Sequence, residues 1–179
     1  MLQGYGKDTV LVQNGSQFNP LTSAYPILTK NADGTYKLTY QDGGLYNFDQ
    51  SGKLTAIQDR NSNTLTFAYT GNNLTLITDP AGRAITLTYN AEGKISTVTD
   101  PKGNVYNITY TRTPSYNLLT GISTQPADST VRNWSFTYDA DAFMLTKTDP
   151  LGYITAYSYD ENHRVKQSTD PEDKVRTLT

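Results

Sequence analysis

The side chain best suited to move a proton near neutral pH is the single histidine, His163. It stands in Asp160-Glu161-Asn162-His163-Arg164, with Ser158 just upstream, so the parts of a serine–histidine–aspartate arrangement lie close together. Such an arrangement works only when a third group holds the base at fixed geometry. The segment has the composition of a turn, and His163 is read as a solvated turn residue. Asp139 with Asp141, and Glu172 with Asp173, are the candidate carboxylate pairs. Acid–base work needs carboxyls facing across a cleft, roughly 5–9 Å apart in glycosidases, and these pairs too lie in turn-like sequence. The most systematic polar feature is the series Asp59, Asp79, Asp100, Asp149 and Asp170. Calcium takes about 6–8 oxygens, and neither the EF-hand nor the glycine-rich nonapeptide pattern is present. Each carboxylate is therefore expected to accept backbone N–H groups of a turn that it opens. There is no cysteine, hence no disulfide and no thiolate metal site. The expectation is a protein that is not an enzyme, with no catalytic, cofactor-binding or metal-binding residue and no cofactor.

Tyrosine is abundant, at 14 residues, and aromatic faces stack on sugar rings. Tyr69, Tyr89 and Tyr110 alternate with aliphatic residues and read as one packed face. Tyr36, Tyr46, Tyr116 and Tyr153 are less constrained and carry the alternative of carbohydrate binding. Asn14, Asn73, Asn107 and Asn133 open Asn-x-Ser/Thr sequons, which matter only on a eukaryotic secretory route.

These residues belong to a repeat. Asp-Pro-x-Gly occurs at Asp79 to Gly82, Asp100 to Gly103 and Asp149 to Gly152, with degenerate copies at Asp59 and Asp170. The starts are 20 or 21 residues apart, except between 100 and 149, where Gln125-Pro126 divides two longer units. Tyr69, Tyr89, Tyr110 and Tyr159 each fall ten residues after a start, and Tyr138 holds that place in an expanded unit. An aliphatic residue, Leu54, Leu74, Ile95 or Val165, precedes each following Asp by five; Met144 does so before Asp149. Between the markers, apolar residues alternate: Leu65, Phe67 and Tyr69; Ile85, Leu87 and Tyr89; Tyr106, Ile108 and Tyr110. Period two means strand. Pro after Asp presets φ near −65° in a turn, and Gly two residues later permits positive φ.

The predicted fold is all-β: tandem antiparallel β-hairpins forming a curved, spiral, shell-like sheet. Residues 1–40 are expected as an irregular β lead-in or cap, with strands over Thr9 to Gln13 and Ala24 to Lys30 and a hairpin turn at Asn31 to Gly34. Residues 41–179 form the repeats, about a dozen strands in six or seven hairpins. One apolar face then needs a cover, from another turn of the same sheet, from a further part of a longer chain or from a second copy, and the open sheet edges offer a route to self-association. The structural repeat residues are Asp59, Tyr69, Asp79, Gly82, Tyr89, Asp100, Gly103, Tyr110, Tyr138, Asp149, Gly152, Tyr159 and Asp170.

Bulk properties exclude several classes. A net charge of −2 gives no basic footprint for nucleic acid. No run of about 18 apolar residues exists, so no membrane-spanning helix is expected. Met1 to Gly6 has neither a basic n-region nor an apolar h-region, so no signal peptide is expected, and a secreted parent would make this chain a fragment.

The pattern Asp-Pro-x-Gly, Tyr-Asp, Gly-x-aliphatic and Thr-Asp-Pro, carried from residue 41 to 179, resembles the YD repeat of Rhs proteins, of Tc toxin shell components and of teneurins. The resemblance implies a spiral strip of hairpins walling a hollow shell around a C-terminal toxin or effector. It implies secretion or display at a cell surface, and a bacterial source. The partners it implies are further repeats of the same chain and that toxin, with glycan binding or adhesion as the alternative. The terminal Rhs core signature, with its pair of self-cleaving Asp residues, is missing: Asp149-Pro150-Leu151-Gly152 looks like its start but sits in phase with the other tetrads.

Overall fold

Alternating β-branched or aromatic residues, broken every few positions by Asp, Asn, Gly and Pro, leave the backbone one economical solution, a hairpin after every turn. A computed structural model of the chain describes residues 11–20, 26–126 and 130–178, and those residues hold seventeen strands and no helix. Correspondingly, no helix is long and apolar enough to cross a membrane. The fold is all-β, built of tandem antiparallel hairpins. Thirteen of the strands lie in residues 41–179, close to the dozen expected for the repeats, and the first forty residues contribute the other four. Of the strand expected from Thr9, residues 9 and 10 lie outside the described residues, as do 24 and 25 of the strand expected from Ala24, and 127–129 beyond Gln125-Pro126.

The chain divides into two compact units, residues 1–85 and 86–179. In the first, β1 (Leu11–Asn14), β2 (Gln17–Pro20), β3 (Ile27–Lys30), β4 (Tyr36–Thr39), β5 (Leu45–Phe48), β6 (Leu54–Gln58), β7 (Thr64–Thr70) and β8 (Asn73–Thr78) each pair antiparallel with the next. The second unit takes up most of β9 (Ala84–Tyr89). It continues through β10 (Ile95–Thr99), β11 (Val105–Arg112), β12 (Asn117–Gln125), β13 (Arg132–Tyr138), β14 (Met144–Thr148), β15 (Ile154–Tyr159), β16 (Val165–Thr169) and β17 (Val175–Thr177), again by successive antiparallel pairing.

Alternation sorts the two faces. In β7, Leu65, Phe67 and Tyr69 are half-buried while Thr66, Ala68 and Thr70 are exposed; in β13, Trp134, Phe136 and Tyr138 are half-buried and Asn133, Ser135 and Thr137 exposed. Thr and Ser line the polar face and pair across strands, as in Thr137 with Thr146 at 2.6 Å and Thr88 with Thr97 at 2.7 Å. Among the described residues only Leu38 and Thr124 are buried, and no side chain is fully enclosed. Stability in each unit thus comes from ladders, turns and a half-covered apolar face.

One five-residue turn recurs eleven times among the described residues, opening at Asn31, Tyr40, Asp49, Asp59, Asp79, Asn90, Asp100, Asp139, Asp149, Asp160 and Asp170. The opening residue donates its N–H to the carbonyl of the fifth, and the fourth donates back to the carbonyl of the first, as Gly82 N–H does to Asp79 O at 3.0 Å. The fourth position needs positive φ, which Gly82 adopts at 78°. Ser62, Ala142, His163 and Asp173 hold the same place at 62° to 70°. An alanine there suffers a Cβ clash that glycine lacks. Ala142→Gly is therefore expected to raise stability by about 0.5–1 kcal/mol, read from the urea midpoint.

Candidate functional site

The groups that sequence singles out are brought together in two kinds of place, the turns and the bulges beside them. Where Asp or Asn opens a turn, from Asp49 onward, its Oδ1 accepts two backbone N–H groups. Asp79 takes Ala81 N–H and Arg83 N–H, each at 2.9 Å; Asp100 takes Lys102 N–H at 2.8 Å and Asn104 N–H at 3.0 Å. Asp59, Asp139, Asp149, Asp160 and Asp170 repeat this pairing. Asn90 shows that a neutral amide oxygen fills the same seat, at 3.1 and 2.9 Å. In the turn opened by Tyr40, which has no such oxygen, Asp42 two residues on accepts Gly44 N–H at 2.9 Å instead.

The second carboxylate oxygen is used unevenly. Asp79 Oδ2 accepts Arg83 Nε at 2.6 Å and Asp100 Oδ2 accepts Asn104 Nδ2 at 2.7 Å. The Arg83 side chain, followed by its backbone N–H, holds the Asp79 carboxyl below the ordinary carboxylate range. The Asn104 side chain leads the same effect at Asp100, and Asn63 at Asp59. These oxygens are committed to the turns. Asp160 likewise accepts from Asn162 N–H, Arg164 N–H and, through Oδ2, Arg164 Nε at 2.9 Å, so its carboxylate is committed to residues other than His163. The His163 ring instead packs tilted against Phe143, centroids 4.8 Å apart and planes at 50°, and Phe143 lies 5.1 Å from Tyr159.

Each repeat tyrosine sits at a bulge. Tyr69, Tyr89, Tyr110, Tyr138 and Tyr159 face Leu74, Ile95, Leu119, Met144 and Val165, and the register shifts there by one residue. Phe48 faces Leu54 in the same way. The extra residues are Thr55, Thr75, Ser96, Thr120, Leu145 and Lys166. The signal was present in the sequence: Leu54 to Ile57, Leu74 to Ile77 and Ile95 to Val98 are spaced by three, which an unbroken strand does not give.

The phenols then reach backward along the array. Tyr69 Oη donates to Leu54 O at 2.9 Å, Tyr138 Oη to Leu119 O at 2.8 Å and Tyr159 Oη to Met144 O at 3.0 Å. A tyrosine facing the aliphatic residue of its own hairpin thus fastens the carbonyl of the equivalent residue one hairpin earlier. Burial, and then Tyr159, raise the Tyr138 phenol above its ordinary value. Removing the hydroxyl in Tyr69→Phe or Tyr138→Phe is expected to cost about 0.5–1.5 kcal/mol in urea unfolding. On the same end of the hairpins neighbouring turns are laced side chain to turn. Gln50 Nε2 donates to Asp33 O at 2.6 Å, Lys53 Nζ to Gly71 O, and Arg112 approaches Glu92 at 4.0 Å. Of the less constrained tyrosines, Tyr46 packs on Tyr40 at 5.1 Å and Tyr36 lies under Lys30 Nζ at 5.7 Å, whereas Tyr116 and Tyr153 are exposed. Among the described residues no cluster of three metal-ligating side chains forms.

Comparison with known proteins agrees with this geometry. The family model for the teneurin YD-shell matches residues 9–177. Among solved structures, one described as "Crystal Structure of TcdB2-TccC3-TEV" superposes with a TM-score of 0.61 at 16% identity, over 87% of this chain and 9% of that one. "Structure of Photorhabdus luminescens Tc holotoxin pore, Mutation TccC3-D651A" gives 0.56 at 19% identity, over 90% and 8%. The chain therefore spans under a tenth of the length of either. No curated protein matches.

Proposed function

Because the chain belongs to the teneurin YD-shell family, we propose that it is a non-catalytic stretch of shell wall in a larger secreted or cell-surface protein, enclosing or displaying a C-terminal toxin or effector. The observation that carries this reading is how the polar groups are spent. Oδ1 of each turn aspartate from Asp49 onward is taken up by the backbone of its own turn, as at Asp149 and Asp170, and the tyrosine hydroxyls of Tyr69, Tyr138 and Tyr159 by the preceding hairpin. The result within each unit is a strip fastened hairpin to hairpin, with an apolar face left half-covered. Its task is mechanical: to hold curvature and to present that face to what it encloses. Electron microscopy of the natural full-length product tests this. The expected result is a wall of these hairpins around a closed chamber; hairpins lying as an open strip with no enclosed density would overturn it.

A second reading, a glycan-binding adhesion module, is favoured by the exposure of Tyr116 and Tyr153, at 49% and 55%. Saturable binding on a glycan array, abolished by Tyr116→Ala or Tyr153→Ala, would select it over the shell.

A further inference from the structure

Four of the repeat turns place proline directly after the opening aspartate: Asp79-Pro80, Asp100-Pro101, Asp149-Pro150 and Asp170-Pro171. An Asp–Pro amide is the peptide bond weakest to acid, because the proline nitrogen is unusually basic and the aspartate carboxylate can attack its own main-chain carbonyl. The turn sharpens this chemistry. The carbonyl of each scissile bond accepts the N–H of the fourth residue, from Gly82, Gly103, Gly152 and Asp173, at 2.9 to 3.0 Å. A donor on that oxygen polarises the carbon for attack.

The four sites differ in the nucleophile. Asp79 Oδ2 is bound by the Arg83 guanidinium, whose Nη2 also lies at 2.6 Å, and Asp100 Oδ2 by Asn104 Nδ2. At Asp149 the corresponding residue is Tyr153, which offers the carboxylate no side-chain donor. At Asp170 it is Lys174, whose ammonium turns to Glu172. Among the described residues nothing holds Oδ2 of Asp149 or Asp170; Asp173 and Glu172 are the other charges of the Asp170 turn.

We propose that Asp149–Pro150 and Asp170–Pro171 are acid-triggered scission sites that open ahead of Asp79–Pro80 and Asp100–Pro101. Oδ2 bonds to the aspartate's main-chain carbonyl carbon and closes a five-membered cyclic anhydride. The carbon–nitrogen bond breaks, its electron pair leaves on the proline nitrogen, and that nitrogen takes a proton from the acidic solvent. Water then opens the anhydride, giving back the side-chain carboxyl and a new C-terminal carboxyl. One peptide bond and one water are consumed. Cleavage at 149 leaves β15 to β17, the last three strands among the described residues, on a separate chain held by the β14–β15 ladder.

The test holds the purified chain at about pH 4 and 37 °C, with and without urea, and follows intact mass over days. In native buffer the 149/150 and 170/171 products are expected about tenfold sooner than the other two, and in urea all four within about twofold. Tyr153→Arg, which supplies the partner found at Asp79, is expected to slow the 149/150 cut about tenfold and leave 170/171 unchanged. Equal native rates, the same ranking in urea, or no effect of Tyr153→Arg would overturn the proposal.

Discussion

Gly121→Val is expected to lower the unfolding free energy by about 1–3 kcal/mol and the melting temperature by several degrees. Gly121 lies in the middle of β12, opposite Thr109 on β11 and Ser135 on β13, directly after the bulged Thr120. A Cβ there would stand 2.8 Å from Thr109 Oγ1 and 3.4 Å from Trp134 O. The first neighbour is the short, stiff side chain of a β-branched residue, and the second is backbone held in a ladder. Neither yields cheaply. The register also leaves little room, since the tyrosine bond from Tyr138 to Leu119 fixes the strand two residues away. Thr109→Ala removes the nearer obstacle, so the double variant Thr109→Ala/Gly121→Val should recover part of the loss. A double-mutant cycle by urea unfolding checks this, because residues in contact couple while distant ones add.

Acid should unfold this chain through its turns. Asp33, Asp49, Asp59, Asp79, Asp100 and Asp160 are all held below the ordinary carboxylate range. The leading causes are the side chains of Thr35, Ser51, Asn63, Arg83 and Asn104 for the first five, and the backbone N–H of Arg164 for Asp160. A carboxylate whose folded pKa is depressed contributes stability that is complete above its unfolded value, about 3.9. That contribution is lost as pH falls through the folded value, where the unfolded chain binds more protons. The urea midpoint is therefore expected to stay flat from about pH 7 to 5 and to fall steadily below about pH 4. Replacing Asp79, Asp100 and Asp160 together by Asn keeps an oxygen in each seat, as Asn90 demonstrates, but removes three titrations. That variant should show a shallower acid limb; an unchanged limb would place the acid sensitivity elsewhere.

The hairpin array was legible because its requirements are local. An acceptor at the first turn position, tolerance of proline at the second and positive φ at the fourth are written within four adjacent residues at Asp79 to Gly82. Period-two alternation over Leu65 to Tyr69 then fixes which face is apolar. Non-local features were not legible. Tyr69 bonds fifteen residues back and Tyr138 nineteen, and nothing in the spacing says where a phenol finds its acceptor. The tilted contact of His163 with Phe143 joins two turns in different hairpins, so the sequence announces the turn but not the ring beside it. In β2, Gln17–Pro20 is too short, at four residues, for its polar–apolar alternation to announce a strand, and it is held as one because β1 and β3 offer it partners. The bulges fell between these cases: the three-residue spacing was visible, but its meaning depends on the strand opposite.

The recurring turn has an evolutionary corollary. Thr78-Asp79-Pro80, Thr99-Asp100-Pro101, Thr148-Asp149-Pro150 and Thr169-Asp170-Pro171 are the same junction written four times. Excising residues 79–99 would splice Thr78 onto Asp100 and recreate that junction, with the strand direction and inward–outward parity of everything downstream unaltered. Misaligned recombination between such copies adds or deletes whole hairpins without a frameshift in the pleat, so a lineage can resize its array in quanta of one repeat.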